Sequence, residues 1–491
     1  MVARRARAGI VTGFSKRLPC EFRHPRCPLK NCCAKLVLDL STPGKTEMNQ
    51  KSLSTCIGAA LLLAATAPAL AITNIETNAT IPFSFSNPGA RSLAMGGAFL
   101  GLADDATAAY TNPAGLTRLG LSKQFSAEFR RLSFDTPYPA SGSFTVRPLD
   151  LTGVNYRSAS DDANELAFLA FVLPRDDWSI AFYRHQLLNY QNSYINEQIF
   201  FPPNFPATGD AVFTRPYSAI TDLSIESYGV SFGMNITEAL SWGGGIAYHR
   251  FEIDTFSERF DPSANNAAIF NTTQNGSDND LSFTFGLLYR GSDRFSIGLS
   301  YRSAPSFDYQ ARTVVGSGAA AQEVANFSTP FKAPDSLGLG FSMRATEQLT
   351  LSLDVNHVGY SNLSDQVDDG FLGGTDAETQ LILNGFEIQD RIEPRIGMEY
   401  AFATANPFFL RAGLWRERDR NLRFVADPDS SAFNNDPVLA YVEAVLFSAG
   451  GDETHYAVGF GWAFPKFQVD FGYDGSDVQD TLSLSGVMRW D

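Results

Sequence analysis

Cysteine is confined to the first 56 residues of the 491-residue chain, at Cys20, Cys27, Cys32, Cys33 and Cys56. No disulfide framework is therefore available to the residues after Cys56, and the spacing of Cys27, Cys32 and Cys33 lacks the paired C-x-x-C units of a zinc site. Lysine is nearly missing after residue 71, where only Lys123, Lys332 and Lys466 occur. The same part holds four histidines, His185, His249, His357 and His455, none in a recognisable hydrolase motif. A nucleophile with a base beside it has no candidate, so no enzyme and no cofactor are expected. Nor does any run after Ala71 approach the roughly eighteen apolar residues of a membrane helix.

What is present begins with a charge asymmetry. Residues 1–51 carry eleven basic side chains against Glu21, Asp39 and Glu47, a net of +8; residues 52–71 are uncharged, so of the overall −15 the remainder carries −23. Met48-Asn49-Gln50-Lys51, the apolar run Ile57–Ala65 and Ala69-Leu70-Ala71 together read as a secretory signal peptide over 48–71, cleaved after Ala71. Met48 is then the expected start, and residues 1–47 an extension ahead of it. A strongly acidic exported body argues against nucleic acid as a partner.

Beyond Ala71 the period is two. Leu349, Leu351, Leu353 and Val355 alternate with Thr350, Ser352, Asp354 and Asn356, and Phe467, Val469, Phe471 and Tyr473 alternate with Gln468, Asp470 and Gly472. Tight turns fall near Asp176, Glu238, Asp293, Glu347, Asn406 and Lys466. Long polar segments fall at about 134–162, 190–221, 256–280, 314–334, 364–390 and 425–453, with a shorter one at 474–480. From Leu121 onward that gives about fourteen strands, with short turns on one side and long connections on the other. A soluble β-sandwich also alternates. Three features favour a transmembrane antiparallel β-barrel over it: the strict alternation of turn length, polar side chains at lumen positions (Glu128, Arg290, Arg302, Asp354, Asp470), and aromatics at strand ends (Tyr289, Tyr301, Tyr360, Tyr473). The barrel is expected over 121–491, in the outer membrane, with lipid and lipopolysaccharide around it and the barrel-assembly machinery as its route in.

Residues 72–120 do not alternate and cannot be wall. The stretch 90–116, ARSLAMGGAFLGLADDATAAYTNPAGL, resembles the N-terminal region of the long-chain fatty-acid transporter family of outer-membrane barrels, the FadL/TodX type. The residues carrying the likeness are Gly96-Gly97, Asp104-Asp105 and Asn112-Pro113-Ala114. The resemblance implies a fourteen-stranded barrel plugged by its N-terminal segment, carrying hydrophobic small molecules such as long-chain fatty acids or hydrocarbons. Secretion-associated barrels of the PorV type share a similar sequence, so a barrel that binds exported proteins is the alternative; an aqueous porin, which a plug would block, comes third. Physically, Gly96-Gly97 permits close backbone packing, Asp104 and Asp105 are expected to meet inward arginines such as Arg290 or Arg302, and Asn112-Pro113 should stop the last plug turn.

A ligand site needs an apolar slot. Ile81–Phe85, with Phe83 and Phe85, is apolar enough to thread into the lumen, and Phe200 and Phe201 belong to a phenylalanine cluster suited to outer capture. The resemblance further implies that Arg259, in Glu258-Arg259-Phe260, contacts a ligand head group; a salt bridge with Glu258 is the other reading. In the family, ligand leaves sideways at a kink in the third strand. Here the corresponding run Trp178–Gln191 contains neither Gly nor Pro, and Gly243-Gly244-Gly245 is the alternative weak point in the wall. The loop acids Asp368-Asp369 and Asp427-Pro428-Asp429 read as solvated charge or as a divalent-cation site.

Overall fold

The computed structural model describes residues 87–146, 149–200, 212–363, 386–419, 423–424 and 451–490. The leader readings at 1–47 and 48–71, the thread at Phe83 and Phe85, Phe201, and the loop acids at 368–369 and 427–429 lie outside the described residues.

Fourteen of the described strands form the wall. They are β1 (Lys123–Ser143), β2 (Val154–Pro174), β3 (Trp178–Asn196), β4 (Tyr217–Asn235), β5 (Leu240–Asp261), β6 (Ala267–Ser292) and β7 (Phe295–Arg302). The second half comprises β8 (Ser336–Arg344), β9 (Leu349–Val358), β10 (Arg391–Phe402), β11 (Phe408–Glu417), β12 (Glu453–Ala463), β13 (Phe467–Gly475) and β14 (Gln479–Trp490). Each pairs antiparallel with the next, and β14 returns to β1 from Lys123↔Trp490 to Phe134↔Gln479. That last ladder closes the sheet into a barrel, in which every strand has a partner on both sides. The six tight turns lie where the sequence places them, and by the usual asymmetry they mark the periplasmic end. Among the described residues no helix is long and apolar enough to cross a membrane; strands do the crossing.

The alternation decides which face meets lipid. On β8, Leu337, Leu339, Phe341 and Met343 are exposed on the outside while Ser342 is buried inside; on β9, Leu353 and Val355 point out and Ser352 and Asp354 in. Expected lumen residues Glu128, Asp354 and Asp470 are all buried inward. Tyr289 and Tyr301 stand on the outer face, but Tyr360 is buried and donates to Glu393 at 3.0 Å, so it belongs to the interior.

Much of what reads as loop is strand. β1 runs to Ser143 and β2 starts at Val154; β5 and β6 are interrupted only between Asp261 and Ala267. Above Tyr228 and Tyr248 the outer faces of β4 and β5 turn polar, with Glu226, Arg250 and Glu252, while the ladder continues. Periodic hydrophobicity reports a lipid face; hydrogen bonding does not need one. The segment at 314–334 belongs to an antiparallel hairpin, Ser306–Val315 with Gln322–Lys332, whose Phe307 stacks on Phe251 at 4.9 Å.

Candidate functional site: the plugged lumen

From Asn87 to Gly120 the chain fills the periplasmic half of the barrel with small residues. A short helix α1 (Ala90–Ala94) leads through Gly96 and Gly97 to a second turn α2 (Ala108–Thr111) and a 3-10 helix Pro113–Arg118. Gly96 and Gly97 have φ of 63° and 73°, and a Cβ on Gly97 would stand 2.5 Å from the Arg395 guanidinium, so both conformation and space demand glycine. Asn112 ends α2 with an extended backbone, but the chain makes the 3-10 helix before entering β1. Its side chain donates to Leu100 O (3.0 Å) and Leu287 O (3.2 Å) and accepts from Ala114 N, tying plug to plug and plug to wall.

The wall leaves room for this backbone by placing inward glycines around the ring. A Cβ on Gly397 would lie 2.5 Å from Met95 O, on Gly472 2.5 Å from Ala90 O and on Gly340 2.5 Å from Gly101 N; Gly233, Gly243, Gly286, Gly298 and Gly413 abut the plug more closely still. Gly243 thus faces Pro113 and Ala114, and Gly243-Gly244-Gly245 is fully paired with both β4 and β6. It is a docking surface and not a breach.

Charge anchors the plug, with the roles reversed from expectation. Asp104 and Asp105 meet Arg91 of the plug's own helix, at 2.7 and 3.5 Å, and Arg91 grips Glu399 of β10 with both Nε (2.8 Å) and Nη2 (2.9 Å). Arg411 continues the chain from Glu399 to Asp470. Arg290 instead lies near Asn235 and Glu238 O, and Arg302 reaches the plug through Asn87 and the ring of Tyr110. Although desolvation opposes its charge, Asp104 and Glu399 hold the Arg91 guanidinium well above its usual pKa. Burial pushes the Asp105 carboxyl up against the pull of Arg91 and Thr107. Two wall carboxylates also cap plug amides: Asp354 accepts from Phe99 N (2.7 Å) and Leu100 N (2.8 Å), and Glu128 from Gly89 N (2.7 Å).

Above the plug the lumen has two unlike sides. Strands β9 to β13 line it with charge: Arg395 lies over Trp415 (4.1 Å), which stacks on His455, itself held between Asp474 (2.7 Å) and Glu417 (3.1 Å). Strands β1 to β5 and the outer hairpin line it with Leu132, Phe134, Leu187, Tyr190, Leu223, Ile225, Phe251 and Phe307, continuous with Ala106, Ala109 and Leu116 of the plug. An aqueous channel keeps a polar interior, and this side does not. Where the two sides meet, a cavity of about 70 Å³ is lined by Tyr110, Tyr183, Leu187, His249, Arg302 and Arg395, among others.

Beside that cavity the wall divides. The β2–β3 ladder runs from Pro174↔Ser179 to Phe168↔His185 and stops, while β1 follows β2 up to Val154 and β4 follows β3 up to Asn196. A bulge at Leu187 turns β3 without glycine or proline. Above it Tyr194 packs on Tyr138 of β1 (4.8 Å), and Tyr138 donates to Ile195 O. The seam's edge is capped by Arg184, which donates to Leu166 O and pairs with Glu226. The third strand is thus interrupted by an inserted residue that composition does not reveal.

At the outer end, Arg259 continues the inward row of β5, with its guanidinium over Tyr217 (5.9 Å) and Phe270 (5.7 Å). Phe260 falls on the opposite face, where it shares an open depression with Phe200. The structure therefore brings Phe200 to Phe260 and separates both from Arg259.

A model of the family described as outer membrane protein transport protein (OMPP1/FadL/TodX) matches residues 71–418. The chain belongs to this family. Its members' place is the outer membrane, and that is where this barrel sits. A FadL homologue from Pseudomonas aeruginosa shares the fold at a TM-score of 0.54 and 13% identity, covering 83% of this chain and 100% of the other. The toluene transporter TbuX of Ralstonia pickettii does so at 0.52 and 15%, covering 83% and 100%. The P. putida toluene transporter TodX does so at 0.51 and 14%, covering 83% and 99%. A search of curated proteins found no match. None of these findings supports the secretion-associated alternative. Within the family frame, the residues that sequence reasoning missed are Arg91, Glu399, the glycine ring and Tyr110; Arg91 lay inside the quoted motif, and inward glycines alternating with lipid-facing Leu and Phe, as at Gly338 and Gly340, were the available signal for the ring.

Proposed function

We propose that this outer-membrane transport protein carries neutral hydrophobic small molecules, small aromatic hydrocarbons among them, without any catalysed step. The observation that carries the reading is the apolar side of the lumen, which runs from Ala106 and Leu116 of the plug through Phe251 to Leu187 at the seam. A molecule that partitions into it leaves water without needing a polar partner, at about 25 cal/mol per Å² of apolar surface removed from water. The seam between β2 and β3 then offers an exit at the level of Tyr228, where the lipid-facing belt ends. Two neighbours in fold are toluene transporters by name, which agrees with a ligand of that size.

Capture we assign to the outer depression that holds Phe200 and Phe260. Arg259 faces the other way, toward the lumen, and for an acidic amphiphile such as a fatty acid its guanidinium would meet the head group there. Phe83, Phe85 and Phe201 remain proposed ligand contacts on sequence grounds. Calorimetric titration of the purified barrel with toluene tests the reading. Saturable binding is expected; no binding, with exported proteins co-purifying instead, would return the secretion-associated alternative.

A further inference from the structure

We infer that the side chain of Tyr110 sets the size of the molecules that pass from the lumen cavity to the seam, and that it does so without displacement of the plug. This rests on the transport reading above. Tyr110 lines the cavity and leans on the last rung of the β2–β3 ladder, its ring 4.3 Å from His185 and edge-on to Tyr183 at 6.1 Å. Leu187, the bulged residue at the foot of the seam, lines the same cavity. Tyr110 therefore narrows the cavity where it meets the foot of the seam. The cavity it leaves is about 70 Å³, roughly half of the 150 Å³ or so of an apolar cavity that holds benzene, so passage of even a small aromatic requires a group to move.

The backbone on either side of Tyr110 is fixed to the wall. Ser231 of β4 donates to Ala109 O at 2.5 Å, Ser300 of β7 donates to Thr111 O at 2.7 Å, and Asn112 donates to Leu287 O. The side chain is held differently. Among the described residues it is held by ring contacts, with the Arg302 guanidinium 4.5 Å over one face and His185 tilted at 60° beside it. Among the described residues, rotating the ring breaks no hydrogen bond and no ion pair, whereas withdrawing the plug breaks all the anchors at once. The lower-cost movement is the rotamer change, which displaces one side chain and leaves the plug backbone on its anchors.

The test compares Tyr110→Ala and Tyr110→Phe with the unmutated protein, in cells whose outer membrane has no other hydrophobic channel. Uptake of radiolabelled toluene and of the bulkier biphenyl is measured, together with ion conductance of each purified barrel in planar bilayers. Tyr110→Ala should raise biphenyl uptake several-fold relative to toluene with conductance unchanged, and Tyr110→Phe should behave as the unmutated protein. An unchanged biphenyl-to-toluene ratio in Tyr110→Ala overturns the inference, and so does a rise in conductance, which would mean that the plug had moved. Should Tyr110→Ala yield no heat-modifiable barrel, Tyr110→Leu, a narrower apolar side chain, must shift the ratio in the same direction or the inference fails. If the unmutated protein takes up no toluene, the transport reading itself falls and takes this inference with it.

Discussion

Arg91 of the plug and Glu399 of strand β10 are joined by two parallel hydrogen bonds, 2.8 Å from Nε and 2.9 Å from Nη2, across a sequence separation of 308 residues. The pair is the point at which a segment without regular periodicity is registered on the wall. Removing Arg91 leaves Glu399 with Arg411 alone and takes from Asp104 and Asp105 the guanidinium they share, a loss smaller than the roughly 3–5 kcal/mol of a buried charge left with no partner at all. Arg91→Ala should therefore loosen the plug and raise single-channel conductance while the barrel remains heat-modifiable on gels. Conductance equal to that of the unmutated protein would remove this pair from the anchor.

Changing Asp104 and Asp105 together to Ala should have a smaller effect in the same assay. Arg91 keeps Glu399, and Asp104 is the more exposed of the acids it holds. Asp105 also accepts from the Thr107 amide at 2.9 Å, so the start of α2 would fray. A double variant that conducts more than Arg91→Ala would contradict this ranking.

Gly243 and Gly244 are neighbours with opposite surroundings. A Cβ on Gly243 overlaps Pro113 and Ala114, whereas one on Gly244 meets nothing closer than 3.7 Å. Overpacking of this kind costs about 1–3 kcal/mol, so Gly243→Ala should lower thermal stability or raise conductance while Gly244→Ala does neither. Equal behaviour of the two variants would refute the register of the plug on β5.

For an acidic ligand the expectation at Arg259 is specific to charge. A hydrogen bond to a charged group is worth about 1.5–3 kcal/mol, so Arg259→Ala should weaken oleate binding roughly tenfold to a hundredfold and leave a neutral alkane of similar length nearly unaffected. Calorimetry with both ligands distinguishes this from a folding effect, in which the two would lose affinity alike.

The wall was legible in the sequence because a lipid-facing strand cannot hide its period: Leu353 and Val355 must be apolar where Asp354 must not. The ends of the strands were not legible, since β1 and β5 continue above the membrane with their outer faces largely polar, so that the lipid-facing period stops before the hydrogen-bond ladder does. Within the site, Gly96, Gly97 and Asn112 showed themselves by chemistry that no other residue performs as well. Arg302 and Arg290 were assigned to Asp104 and Asp105 on charge alone; the nearer partner, Arg91, is thirteen residues upstream and folds back onto them through α1. The kink in β3 was sought through glycine or proline, but a bulge at Leu187 needs neither.

The transport claim is tested most directly by uptake of radiolabelled toluene into cells that lack other hydrophobic channels, with the unmutated protein, with Phe251→Asp, and with no barrel. Phe251 is fully buried in the apolar side, stacked on Phe307 and Phe331, and an aspartate there places an unpaired carboxylate within it. Uptake should rise with the unmutated protein and fall back toward the no-barrel level with a folded Phe251→Asp variant. Uptake that is no higher with the unmutated protein than without it would contradict the account.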